Sequence, residues 1–327
     1  MKAQRGVALL TALLVVVLAT LAATAVMYAA NAAVHRTASL RDSEQASWYA
    51  RGVESWILGI LADDSAKSND HDGFDEAWAM PVDYLPVDEG FVRGQIVDLQ
   101  GQFNLNNLAP DSGNPGSPPG NPGGNLGDLY ARQFQRLVDM CDCLDPGISS
   151  AAVLRAVRDW LSDGQHGGVQ DAAAKDAYYL SLTPPYRAGL RRFAHPSELL
   201  AIQGVTPKLY RSLRPFVTAL PASATKINVN TASAAVLRTT CDSIDDGQLG
   251  QWVKHVQDDK QPTKDIMEFI QATTCTGPQV SKLIDVKTSF FQIRGEVFVG
   301  SGRMALYSLV YRPGGGGTPS VIARDVD

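Results

Sequence analysis

The stretch KAQRGVALLTALLVVVLATLAATAVMYAA, residues 2–30, decides how this chain is read. Lys2 and Arg5 precede Gly6. From Val7 to Ala30 there are 24 residues without a charge, a proline or a glycine. A helix rises about 1.5 Å per residue, so roughly 20 apolar residues cross a bilayer. A secretory signal has a shorter apolar core and ends in a small-residue cleavage site. Residues 7–30 are therefore expected to be a transmembrane helix with its cationic end in the cytoplasm. No second long apolar run follows, so the rest of the chain is expected on the far side.

The helix is expected to outlast the membrane. From Ala46 to Leu61 the apolar positions are Ala46, Tyr49, Ala50, Val53, Trp56, Ile57, Ile60 and Leu61. That spacing is one amphipathic stripe. No proline or glycine interrupts residues 31–45. One helix from Val7 to about Ala62 follows, half in lipid and half on a globular head.

Beyond it, residues 63–75 (DDSAKSNDHDGFD) read as a polar, solvated loop without the EF-hand spacing. FVRGQIVDL (91–99) is the first strand candidate. Residues 109–125 hold five prolines and five glycines and mark a boundary. Residues 126 to about 284 read mostly as helices. In PSELLAIQGVTPKLYRSLRPFVTAL, Ser197 can cap one helix and Thr206-Pro207 can open the next. KINVNTASAAVL and GPQVSKLI repeat the theme, giving two small helix-hairpin-helix or SAM-like units in tandem. Alternation returns at Phe291, Ile293, Val297 and Val299, and MALYSLVYR and SVIARDV complete three strands around glycine turns. One strand before a helical block and three after it mean a sheet split by an insertion.

Composition excludes several classes. Hydrophobic content of 45% and charge of 19% describe a folded chain, and the net charge of −5 argues against broad nucleic-acid binding. There is no GxSxG, HExxH, P-loop or GxGxxG. His35, His71, His166, His195 and His255 follow no ligand spacing. An enzyme is not expected.

The start resembles a class III, type IV pilin-like leader. The resemblance makes Gly6 the last leader residue and Val7 the first mature one, cut by a prepilin peptidase. Most such subunits carry Glu at the fifth mature position; here it is Thr11. In a filament that Glu pairs with a neighbour's N-terminal amine, because an unpaired buried charge is expensive. A subunit without it suits the tip.

Taken in order, RGVALLTALLVVV (5–17), WYARGVESW (48–56), DLQGQFNLNNL (98–108), DWLSDG (159–164), DAYYLSLTPPYRAG (176–189), PSELLAIQGVT (196–206) and INVNTASAAVL (227–237) resemble the K-type minor pseudopilins of bacterial type II secretion systems. The resemblance implies an α+β, pilin-like fold. A long N-terminal helix packs on an antiparallel sheet, with a large helical domain inserted in the sheet. The expected parts are a leader (1–6), the membrane helix (7–30), the pilin-like helix and first strand (31–108), two SAM-like units (109–221 and 222–284) and the closing strands (285–327). It implies a non-enzymatic subunit at the tip of a periplasmic pseudopilus, anchored in the inner membrane. Its partners would be I-type and J-type minor pseudopilins and, through them, the H-type. Tyr49, Val53, Trp56, Ile57 and Ile60 are the expected face toward neighbouring helices.

The resemblance also implies a calcium loop. Asp159, Asp163, Asp171 and Asp176 are its candidate ligands, hard oxygens suited to that cation. Ser162, Gly164 and Lys175 depart from the pattern and weaken it. Four cysteines in an exported head permit disulfides. Cys241 and Cys275 flank one helical unit and are the better pair; Cys141 and Cys143, two apart, strain a direct bond. The rival reading is a membrane-anchored helix-hairpin-helix DNA receptor of a competence-type system. Lys208, Arg211 and Arg214 favour it. Asp242, Asp245 and Asp246, where phosphate would lie, oppose it.

Overall fold

The computed structural model describes residues 4–68, 70–109, 126–141, 143–162, 176–277 and 279–326. Helix α1 (Gln4–Ser68) is unbroken and ends beyond the expected Ala62. From Val7 to Leu40 its residues are exposed. From there it lies on the head and buries Ala46, Ala50, Glu54, Ile57 and Leu61, one contact every three or four residues.

Strands β1 (Val82–Val87) and β2 (Gly90–Asp98) follow. The helical block then holds β3 (Phe103–Asn104), α2 (Leu126–Asp139), α3 (Ser150–Leu161), α4 (Pro207–Leu213), β4 (Val217–Thr218), β5 (Ile227–Asn228), α5 (Ala234–Thr240), α6 (Asp246–Val253), α7 (Ile266–Ala272) and β6 (Ile284–Asp285). The chain closes with β7 (Phe290–Val299), β8 (Gly302–Tyr311) and β9 (Ser320–Val326). The main sheet has the order β1-β2-β7-β8-β9 and is antiparallel throughout.

Two strands, not one, precede the block. VDYLPV conceals β1 because Asp83 and Pro86 break the alternation. Proline lacks a ladder donor, and β1 tolerates it because it is an edge strand. β2 and β7 are hydrogen-bonded neighbours, with Val92 opposite Val297, Ile96 opposite Ile293 and Asp98 opposite Phe291. The whole helical block leaves and re-enters between them.

The inner face of the sheet meets α1 in two clusters. Ala46 and Ala50 pack on Val92, Val297, Val299 and Leu306; Ile57 and Leu61 pack on Trp78, Phe291, Ile293 and Val310. The β7–β8 turn touches α1 where the helix leaves the head. Ser301 donates its backbone N–H and its hydroxyl to Asp42 Oδ2, both at 2.9 Å. Gly300 has φ +51°, and a Cβ there would stand 2.5 Å from Asp42 Oδ2, so both backbone and space require glycine.

A single buried core runs through the block from Phe103 to Val286. Its start therefore precedes the expected boundary at 109: residues 103–108 pack inside it. The two units share a plan. β3 pairs parallel with β4, and β5 parallel with β6. Asn104 Oδ1 accepts from Asn106 N, and Asn228 Oδ1 from Asn230 N. Asn106 brackets Phe193, accepting its N–H at 2.8 Å and donating to its carbonyl at 3.0 Å. Asn230 brackets Thr263 the same way, at 2.9 Å each.

Candidate functional site

The surface with most to offer a partner is α1. Its residues 7–40 are exposed, and 7–30 form an uninterrupted apolar rod, of the length and composition to cross a membrane. Thr11 donates its hydroxyl to the Ala8 carbonyl of the same helix at 3.0 Å and offers no carboxylate. Gly6 and Val7 both lie within α1.

Along the head, the structure corrects the expected partner face. Ile57 is buried against the chain's own sheet, and Tyr49, Val53 and Ile60 are half-buried on the same side. A helix stripe this apolar is drawn to the nearest apolar sheet, and that sheet is intramolecular. Of the five residues only Trp56 is exposed, at 49%. The face actually open is Trp48, Gly52, Trp56 and Gly59, spaced four, four and three. Trp48 is 64% exposed, and a Cβ on Gly52 or Gly59 would meet nothing within 4 Å. Two large aromatics beside two bare backbone positions let another helix approach closely.

Below this face the anchor helix is locked to both halves of the head by a buried polar junction. Residues 63–75 are not the expected solvated loop. Asp72 is fully buried; it accepts Thr288 N at 2.7 Å and pairs with Arg312, which also holds Asp64 at 2.5 Å. Asp98, at the end of β2, accepts Thr231 and Thr288 hydroxyls at 2.6 Å, Gln100 N at 2.7 Å and Asn228 Nδ2 at 2.9 Å. Helix end, both sheet halves and second helical unit thus converge on two carboxylates. Burial pushes Asp72 up to about 6 and Glu76 up to about 7. Burial also raises Asp98 against the pull of its donors. His71 sits between Asp70 and Asp75; burial lowers its pKa, but those two hydrogen bonds prevail and raise it.

Carboxylates of Asp64, Asp72 and Glu76 lie within 4.8 Å of one another. Arg312 is bound to Asp64 and Asp72, and Glu76 accepts from Trp78 Nε1 and Gly73 N, so each member of the cluster is tied to groups of the chain itself. Sequence reasoning missed it because Arg312 stands 240 residues from Asp72; only the acidic run 70–75 hinted at it.

Residues 101–222 match the family model for type II secretion system protein K. A type II secretion system protein K of Pseudomonas aeruginosa is 32% identical over 338 residues, covering 99% of this chain and 93% of that protein. The chain belongs to the type II secretion system protein K family. The protein K of Aeromonas hydrophila is 29% identical, covering 94% of this chain and 93% of that one. The fold also matches a chain in the crystal structure of the GspK–GspI–GspJ complex from enterotoxigenic Escherichia coli, with a TM-score of 0.69 and 22% identity over 89% of this chain and 99% of that chain.

Within the family's inserted domain, two of the four candidate calcium ligands, Asp163 and Asp171, lie outside the described residues. Asp159 ends α3. Asp176 Oδ1 already accepts Ala188 N at 2.9 Å, with Arg187 4.0 Å from its other oxygen. Calcium takes six to eight oxygens, so these two side chains alone do not form its cage. Cys241 is bonded to Cys275. Cys141 is bonded to Cys143, beyond the end of α2 at Asp139. Of the acidic residues in the second unit, Asp242 is paired with Arg136 and Asp246 with Arg238.

Proposed function

We propose that this protein is a non-enzymatic minor pseudopilin that caps the tip of a type II secretion pseudopilus and starts its assembly with I-type and J-type partners. The H-type joins through them, and the assembly supports export of folded proteins across the outer membrane. The observation that carries this is the pairing of an exposed apolar α1 lacking a carboxylate at Thr11 with a head widened by an inserted helical block. The first gives a subunit that joins neighbours below it through a helix face but offers no carboxylate to an amine above. The second makes regular stacking along a tight filament sterically unfavourable. The related fold sits in a complex with GspI and GspJ, which supports those partners.

In this reading the prepilin peptidase cuts between Gly6 and Val7, α1 stays in the inner membrane and the head projects into the periplasm. Mass spectrometry of the mature protein then shows the loss of six residues. Cleavage near Ala30 overturns it.

The partner helix packs on Trp48, Gly52, Trp56 and Gly59. The test is co-purification of the full-length protein with I- and J-type subunits from detergent. Trp56→Glu is expected to abolish the complex while circular dichroism stays unchanged. A complex that survives, or long homomeric filaments of the wild type, defeats the cap reading. Calcium at Asp159, Asp163, Asp171 and Asp176 belongs to the same reading. A melting temperature raised by calcium and lowered by a chelator supports it, and an unmoved one removes it.

A further inference from the structure

Between the outer face of the sheet and the underside of the helical block lies an open cleft of about 860 Å³. Gln292 and Arg294 of β7 and Tyr307 of β8 form its floor; His195 and Arg214 close it from the block. Both arginines line the cleft, and burial, with the Arg214 charge adding to it, holds the Arg294 guanidinium below its usual pKa. Neither makes an ion pair among the described residues; Arg294 uses only its Nε, on Gln292 Oε1 at 2.8 Å. Arg324 also lines the cleft, but Glu54 holds it. Asp325 is the one acidic side chain among the described lining residues. Burial and Arg214 lower the pKa of His195, which favours its neutral form.

Two guanidinium groups facing one cleft lined by a single carboxylate, Asp325, repel each other in the free chain. An arriving anion relieves that repulsion. Each guanidinium is a planar fork that matches a carboxylate with two parallel hydrogen bonds. The cleft is open and, at about 860 Å³, far larger than a single ion, and apolar as well as polar groups line it, so it fits a peptide better than a compact ion. We propose that this cleft binds a carboxylate-rich peptide segment of a partner protein through Arg214 and Arg294.

The test uses the full-length protein in detergent micelles with a fluorescein-labelled tetraglutamate peptide, read by anisotropy. A tetralysine peptide and inorganic phosphate serve as comparisons. The acidic peptide is expected to bind in a salt-dependent way and the lysine peptide not at all. R214Q with R294Q is expected to weaken binding about tenfold or more, at an unchanged melting temperature. Should the double variant unfold, R214Q alone, on the block side of the cleft, is expected to weaken binding severalfold. No binding of the acidic peptide, equal binding by a folded variant, or phosphate binding as tightly as the peptide each overturns the proposal.

Discussion

Glu54 of the anchor helix accepts both Nε and Nη2 of Arg324, on the last strand, at 2.8 and 2.7 Å. Ser308 adds a third hydrogen bond from β8. The Glu54 carboxylate is buried while Arg324 is 56% exposed, so one partner is desolvated and the other is not.

Arg324→Gln is therefore expected to destabilise the head, by about 1–2 kcal/mol, because Glu54 is left buried with one donor fewer and the exposed guanidinium contributes less than a buried one. Hydrogen bonds from Arg324 hold Glu54 below its ordinary value of 4.5. That stabilisation is present above 4.5 and fades as pH falls through the lowered value. Urea unfolding at several pH values should show this acid-side loss in the wild type and much less of it in the variant.

Glu76 predicts the opposite slope. Burial raises it from 4.5 to about 7, and burial raises Asp72 from 3.8 to about 6. The folded state then binds more protons than the unfolded one between those values, so stability declines as pH rises through them. Glu76→Gln should flatten the upper part of that decline, by about 1–3 kcal/mol between pH 5 and 8. Thermal melts across that range decide it; an unchanged slope would remove Glu76 as the cause.

Gly52 and Gly59 separate folding from assembly. Gly52→Ala should stabilise the isolated protein by about 0.5–1 kcal/mol, since glycine is a poor interior helix residue. Gly52→Leu with Gly59→Leu should leave the melting temperature within a few degrees, as nothing lies near either Cβ. The same pair should reduce co-purification of partner subunits, because bulk there holds a second helix away.

The two disulfides should differ in weight. Cys241–Cys275 closes a separation of 34 residues, and its removal is expected to cost about 3–4 kcal/mol. Cys141–Cys143 closes a separation of 2, worth about 1 kcal/mol on the same chain-entropy scale. Denaturant midpoints of the two double Cys→Ala variants should rank in that order.

The sequence made the large features visible because they rest on local periodicity. Val7–Ala30 is apolar without interruption, Phe291–Val299 alternates, and Thr206-Pro207 opens a helix as its capping chemistry dictates. What stayed hidden depends on pairing between distant residues. The alternation at β1 is broken by Pro86, which only edge position excuses. The acidic run at Asp70–Asp75 looks solvated until Arg312 is placed beside it. The stripe at Val53 and Ile57 is apolar whichever surface it covers; periodicity marks the face but not its partner, and here the partner is the chain's own sheet.

Because β2 and β7 are neighbours, no more of the main sheet than the β1–β2 hairpin can form until residues 99–289 have been made. At about 5–20 residues per second, that is a delay on the order of 10–40 s. Through that interval α1 has no β7, β8 or β9 to cover Ala46, Ala50, Ile57 and Leu61, and Glu54 has no Arg324. A truncated or stalled chain thus keeps a sticky, charged, unsupported stem that cannot hold Trp48 and Trp56 at a fixed orientation. Only a chain read to its last strand covers the apolar stripe of α1 and gives Glu54 its partner, so the last residues made are the ones that fix the first helix in place.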